Sequence, residues 1–265
     1  MGWKNAVSYA KDIADKHGFG NGAAQDEGLL LGAKIGGFIR LQKSPFIRAI
    51  SEGSLIDMPT DAQSVIKAIS RVKLDLSGSL YRYYLQTGDL QTDETNEKEI
   101  FLQVYVDASG QVSEAIYCTQ LTRFIPETEE DQQIFMGLAG YGLGDKRYSL
   151  WRFQLEELGY VESDLQVMFG IDDTIDYYRD AGDIEQDFLA PFTGSEIRLD
   201  DAFGQHGLQQ DIYFMPYKRE VKGHTEYLFI TTELVNSKNG DTNQREIHVD
   251  FMIGIPVELE RVVIQ

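Results

Sequence analysis

The sequence predicts an α+β fold, mainly antiparallel β-sheet meanders with one or two packed helices. Three observations carry this. Long runs alternate apolar and polar residues, most clearly Val65–Leu76 and Glu246–Leu259, which is the period of a half-buried strand. Turn chemistry punctuates those runs, as in Asp107-Ala108-Ser109-Gly110 and Asn239-Gly240. Helical spacing is confined to short stretches.

Taken in order, the chain opens with Trp3, Ala6, Val7, Ala10, Ile13 and Ala14 at helical spacing. Residues 1–17 are therefore expected to form an amphipathic helix, docking on the body of the protein or touching a membrane surface peripherally. Residues 18–28 include Gly18-Phe19-Gly20-Asn21-Gly22 and read as a linker. Residues 29–265 are expected to form one α+β domain, with two β-meander halves dividing near 126–147. In Val65–Leu76 the even positions Ile66, Ala68, Ser70, Val72, Leu74 and Leu76 are assigned to the core. Strands follow at Leu80–Leu85, Glu99–Asp107 and Val112–Phe124. Pro126 ends that run, and Thr128 caps a helix whose first turn holds Glu129, Glu130 and Asp131. Between 148 and 201 the pattern is weak: Tyr148–Leu155 reads as a strand and Asp183–Leu189 as a helical turn. Three strands close the chain: Asp211–Val221, Thr225–Leu234 and Glu246–Leu259. The last assigns Ile247, Val249, Phe251, Ile253, Ile255 and Val257 to the core and puts His248 on the opposite face.

Charge narrows the function. Residues 1–125 hold 15 acidic and 13 basic side chains, a net −2, whereas residues 126–265 hold 28 and 11, a net −17. Such a surface repels phosphate backbones, so no nucleic-acid partner is expected. It suits a basic protein partner or a divalent cation. Cys118 is the only cysteine, which excludes an intrachain disulfide and fits a reducing, cytoplasmic compartment. It falls in a strand pattern and reads as a small apolar residue rather than a nucleophile. No apolar run reaches the length of a transmembrane helix.

Several segments together resemble the uncharacterised bacterial YjfK-like family, a domain of unknown function. They are Leu31-Gly32-Ala33-Lys34-Ile35-Gly36-Gly37, Leu80-Tyr81-Arg82-Tyr83-Tyr84-Leu85, Phe101-Leu102-Gln103-Val104, Arg147-Tyr148-Ser149-Leu150-Trp151 and Glu226-Tyr227-Leu228-Phe229. The resemblance spans roughly residues 29–257. It implies no catalytic residue, and a genomic association with membrane-stress machinery.

The chemical motifs are sparse. Gly140-Tyr141-Gly142-Leu143-Gly144-Asp145-Lys146 lacks the spacer and hydroxyl of a P-loop and follows a helix rather than a strand. His17, His206, His224 and His248 show no metal spacing among themselves. From Glu156 to Asp201 there are 14 acidic residues against Arg179 and Arg198 alone. Within that segment Asp172, Asp173 and Asp176 are the candidate metal ligands, with calcium as the expected cation, although no EF-hand pattern is present. A solvated acidic loop is the competing reading. The function expected is a non-enzymatic cytoplasmic binding or adaptor protein, with no obligate cofactor. A carboxylate-based, divalent-metal-dependent hydrolase is the alternative.

Overall fold

The structure, a computed structural model, describes residues 30–59, 63–75, 78–86, 98–243 and 245–265. The helix expected over 1–17 and the linker over 18–28 lie outside the described residues.

The alternating runs become long antiparallel strands joined by the turns their sequences specify. β1 (Phe38–Arg40) and α1 (Ser44–Ser51) precede the first of them. β2 (Ser64–Leu74), β3 (Ser79–Leu85), β4 (Ile100–Val106) and β5 (Val112–Phe124) then form a meander. At the β4–β5 turn, Asp107 Oδ1 accepts from the Ser109 and Gln111 amides at 2.8 and 3.1 Å. Thr128 caps α2 (Glu129–Phe135) as its sequence predicts, accepting from the Asp131 amide. β6 (Arg147–Trp151), α3 (Arg152–Glu157), α4 (Glu162–Phe169), β7 (Thr174–Arg179) and β8 (Phe192–Leu199) follow. β9 (Gly207–Val221) and β10 (His224–Lys238) are joined by a two-residue turn, with Lys222 at φ 43° and Gly223 at φ 95°. β11 (Glu246–Pro256) and the short β12 (Val263–Ile264) complete the chain.

The pairing overturns the expected fold class. Round the wall the order is β2-β3-β4-β5-β11-β10-β9, and β8 pairs with both β9 and β2, so eight antiparallel strands close on themselves. The molecule is a closed β-barrel with small helices outside it, not an α+β assembly of open meanders. β5 pairs directly with β11, which brings the early and late meanders into one wall. Beyond the barrel, β1 and β12 extend the sheet from the start of β2, and β7 with β6 extends it from the end of β9.

The strand that closes the barrel had no apolar period to reveal it. β8 reads Phe192-Thr-Gly-Ser-Glu-Ile-Arg-Leu199, and its lumen-facing positions are Phe192, Gly194, Glu196 and Arg198. Gly194 is required by the closure itself. A Cβ there would lie 2.0 Å from the Lys73 carbonyl oxygen across the β2–β8 seam.

Both faces of the wall are buried, by two separate sets of residues. The lumen is filled by Ala68, Val72, Leu80, Tyr84, Phe101, Ile116, Cys118, Phe214, Phe229 and Met252. An eight-stranded barrel is just wide enough for side chains to fill it. The outer face, with Tyr83, Leu102, Tyr117, Met215, Leu228 and Ile253, packs with Phe46 of α1, Leu155 of α3 and Leu165 and Phe169 of α4. From Ala68 onward the expected core face of β2 thus points into the lumen, whereas Ile66, across a bulge between Ile66 and Ala68, packs in the outer cluster. Leu76 lies outside the described residues. The expected core face of β11 points outward, and the opposite face of β11 is buried as well.

Candidate functional site

The lumen is apolar towards the 107–111 turn and ionic towards the other end. Arg82, Gln103, Glu196, Gln210, Glu233, His248 and Asp250 are all buried. Glu196 accepts the Tyr84 hydroxyl at 2.9 Å, Arg82 Nη1 at 2.9 Å and Gln210 Nε2 at 3.0 Å. The same Arg82 Nη1 lies 3.5 Å from Glu233 Oε1. Glu233 Oε2 accepts Gln210 Nε2 at 2.6 Å and lies 2.9 Å from His248 Nε2. His248 in turn lies 3.7 Å from Asp250. Arg123 grips Asp250 with two bonds, Nε to Oδ1 at 2.6 Å and Nη2 to Oδ2 at 2.7 Å. At the mouth Glu99 stands between Arg123, at 3.5 Å, and Arg198, at 3.3 Å.

Four carboxylates therefore meet three guanidiniums and one imidazole, and this balance is what permits their burial. Burial opposes the charge on Arg82, but Glu196 and Glu233 outweigh it and hold the guanidinium well above its ordinary value. Burial likewise favours the neutral form of Glu233, yet the hydrogen bond from His248 prevails and its carboxyl sits below the usual range. The His248 imidazole is raised: Glu233 overcomes the desolvation that would lower it. Glu99 is pushed up, first by burial and then by Asp250 and Glu233, against the pull of Arg123 and Arg198.

Glu233, His248 and Asp250 bring three ligand-type atoms within 4.8 Å of one another, the one such group among the described residues. Their surroundings do not suit a metal. Both oxygens of Asp250 are held by a guanidinium, Glu233 has Gln210 and His248 as donors, and Arg82 adds a second positive charge. An arriving cation would have to displace Arg123 and face the repulsion of what remained. The lumen carboxylates are committed to protein donors.

The expected ligands Asp172, Asp173 and Asp176 fall elsewhere. Asp172 and Asp173 are exposed in the turn between α4 and β7. Asp176 sits on β7 and accepts Ser149 Oγ at 2.7 Å and Arg147 Nη1 at 3.3 Å. Of the remaining motifs, Gly140 and Gly142 adopt positive φ in the loop after α2. Gly144 donates its amide to the Tyr217 hydroxyl at 2.9 Å, while Arg179 takes the Gly144 carbonyl oxygen at 2.6 Å. That loop is tied to protein groups at its end. Cys118 is fully buried in the lumen.

A different feature stands out at the surface. The unit formed by β6, α3, α4 and β7 exposes Trp151 (47 %), Phe153 (52 %), Val161, Val167 and Ile171 (98 %), and Tyr178 adds a third exposed aromatic ring. The Trp151 and Phe153 rings lie 6.3 Å apart. Glu156, Glu157, Glu162, Asp164, Asp172 and Asp173 are exposed in the same stretch. Arg152 organises it, bonding Glu162 at 2.7 Å, approaching Glu156 at 3.4 Å and donating its backbone amide to the Asp173 carbonyl at 2.9 Å. Sequence periodicity missed this face because β6 ends in mid-pattern. Gln154 caps the Trp151 amide at 2.9 Å and starts α3 where the residue pattern alone continues a strand.

No family model, curated protein or solved structure matches the chain. What defines it is its own architecture: a closed antiparallel barrel with an ion-paired lumen and an apolar, acid-rimmed face outside. Among the described residues no helix is long and apolar enough to cross a membrane.

Proposed function

We propose that this protein is a non-enzymatic module that binds a polypeptide partner through the face formed by β6, α3, α4 and β7, the partner offering a basic segment with apolar residues. One observation carries the reading: large apolar side chains, Trp151 and Phe153 foremost, stand exposed among acidic residues on one structural unit. Soluble surfaces carry scattered apolar residues routinely, but aromatic anchors grouped within a charged rim are the composition of binding faces. The acidic rim selects for positive charge. The ion-paired, side-chain-filled lumen supports a binding role over the hydrolase alternative, since its carboxylates are committed to Arg82, Arg123 and Arg198. A reducing cytoplasmic setting accords with the buried Cys118 as the only cysteine.

The test is site-specific photo-crosslinking in the native cell. A benzophenone residue at position 153 should capture a protein absent from captures at position 203, an exposed phenylalanine in the loop before the far end of β9. The mapped contact segment should carry net positive charge, and Trp151→Lys should abolish its capture. Equal capture from both positions, or an acidic contact segment, would overturn the reading.

A further inference from the structure

We infer that the outer edge of β6 accepts an extended basic segment as an additional antiparallel or parallel strand, so that the partner docks by main-chain hydrogen bonding as well as by side chains. This rests on the binding reading above and specifies its mode.

The inference begins with the direction of backbone groups. β6 is the terminal strand of the sheet. Its hydrogen bonds to β7 are fixed in phase at both ends: the Arg179 amide donates to the Lys146 carbonyl at 3.0 Å, and the Arg152 amide donates to the Asp173 carbonyl at 2.9 Å. The registered pairs Tyr148↔Tyr177 and Leu150↔Ile175 lie between them. In an antiparallel ladder the bonded positions alternate. The even residues of β6 therefore bond inward to β7, and Arg147, Ser149 and Trp151 turn their N–H and C=O groups outward. Gln154 occupies the Trp151 amide. The Trp151 carbonyl, at the N-cap of α3, accepts the first intrahelical bond. For the amides and carbonyls of Arg147 and Ser149 no partner appears among the described residues. A row of such groups is a template for another strand.

The side chains define what the strand is. Arg147, Ser149 and Trp151 share one face with Tyr178, Asp176 and Thr174, their registered partners on β7. The other face of the hairpin, with Leu150, Ile175 and Tyr177, is buried in the core. An incoming strand lies over Trp151 at one position and over Ser149, within reach of Asp176, two residues away. A lysine or arginine suits the first position, where it stacks on the indole. At the second the Asp176 carboxylate is already engaged by Ser149 and Arg147, so the cation there is met by the surrounding acidic charge rather than by a free partner. Asp172, Asp173 and Glu156 add negative charge at the Trp151 end. Residues 147–179 carry seven acidic and three basic side chains, so a second copy of this chain is repelled where a basic segment is attracted.

The probe is a labelled eight-residue peptide of alternating lysine and valine, titrated by fluorescence anisotropy at about 0.15 M salt, where long-range charge is screened. The control is the same peptide N-methylated at alternate residues, identical in charge but unable to complete the ladder. The expected result is at least tenfold weaker binding of the N-methylated peptide. With the unmodified peptide, hydrogen exchange should slow at the Arg147 and Ser149 amides and stay constant at Tyr148 and Leu150. Ser149→Pro removes one outward donor at an edge position and should weaken binding about tenfold, with circular dichroism confirming the fold. Equal affinity for both peptides, without new protection at Arg147 and Ser149, would overturn strand addition while leaving the docking face to the crosslinking test. Failure of the unmodified peptide to bind, or concentration-dependent dimerisation lost in Ser149→Pro, would overturn the basic strand as occupant.

Discussion

Arg82 on β3 and Glu233 on β10 meet across the barrel, Nη1 lying 3.5 Å from the carboxylate although four strand steps separate them round the wall. The same guanidinium holds Glu196 of β8 at 2.9 Å. One buried cation thus ties the closing strand to two others that do not neighbour it.

Replacing that cation should be severe. Arg82→Met leaves two buried carboxylates without their shared partner, which costs about 3–5 kcal/mol. The double variant Arg82→Met with Glu196→Gln removes one of the stranded charges and should recover part of the loss. Urea unfolding measures both. A cost under about 1 kcal/mol for Arg82→Met would show that the lumen pairing contributes little.

The Glu233–His248 contact gives stability a defined pH dependence. His248 is raised by Glu233, so its contribution is complete below the unfolded histidine value of about 6.5 and is lost as pH rises through the higher folded value. Glu233 is lowered, so its contribution is complete above about 4.3 and is lost as pH falls through the depressed folded value. The pair therefore stabilises most between roughly pH 4.3 and 6.5. Asp250 and Arg123 face the same imidazole, so the useful quantity is the melting-temperature gap between wild type and His248→Gln. That gap should be widest near pH 5–6 and narrow towards pH 9. A gap that grew with pH would contradict this assignment.

How much of this could be read from the residues follows from where each polar side chain points. Alternation located β2, β3, β4, β5, β9, β10 and β11 because their outward or inward apolar rows are regular, and Thr128 and Asn239-Gly240 marked a helix start and a turn. The same rule fails inside a closed barrel. His248, Asp250 and Glu233 alternate with apolar residues as a solvent face would, yet they face a lumen in which Arg82 and Arg123 neutralise them. Closure itself depends on β8, whose inward Gly194, Glu196 and Arg198 have no apolar signature. The Trp151 face was hidden because Gln154 turns a strand into α3 at a point that only the amide hydrogen bond reveals.

Glu226 provides a second buried clamp, outside the lumen. Its carboxylate accepts the Ser54 hydroxyl, the Leu55 amide at 2.7 Å, the Tyr177 hydroxyl at 2.6 Å and Arg219 Nε at 2.6 Å. Glu226→Gln preserves the shape but strips the charge from a site composed of donors. A loss of about 3–5 kcal/mol is expected, with faster hydrogen exchange at the Leu55 amide. Unchanged exchange there would mean that the 53–55 segment is held by its packing alone.

Cys118 should behave as a core residue. It has no exposed surface, and burial pushes its thiol far above the ordinary range. Ellman's reagent should therefore leave the native protein unlabelled and react fully in guanidinium chloride. Rapid native labelling would contradict the packed lumen.

The acidic turn offers the clearest contrast between a specific cation site and a charged surface. Calcium seeks six to eight oxygen ligands. At Asp172, Asp173 and Asp176 the first two carboxylates are exposed, and the third is engaged by Arg147 and Ser149. Binding would require calcium to displace the Arg147 guanidinium and draw in both exposed side chains, losing their conformational freedom. Diffuse screening asks for neither. NaCl, CaCl₂ and MgCl₂ at matched ionic strength are therefore expected to shift the melting temperature equally. Arg147→Ala sharpens the comparison, because it frees Asp176 and removes the competing positive charge. If a site is latent in this turn, that variant should gain a calcium-specific rise at micromolar concentrations, and Asp172→Asn with Asp176→Asn should abolish it. A calcium-specific rise in the wild-type protein, lost in the same double variant, would show that the three aspartates bind the ion in spite of Arg147.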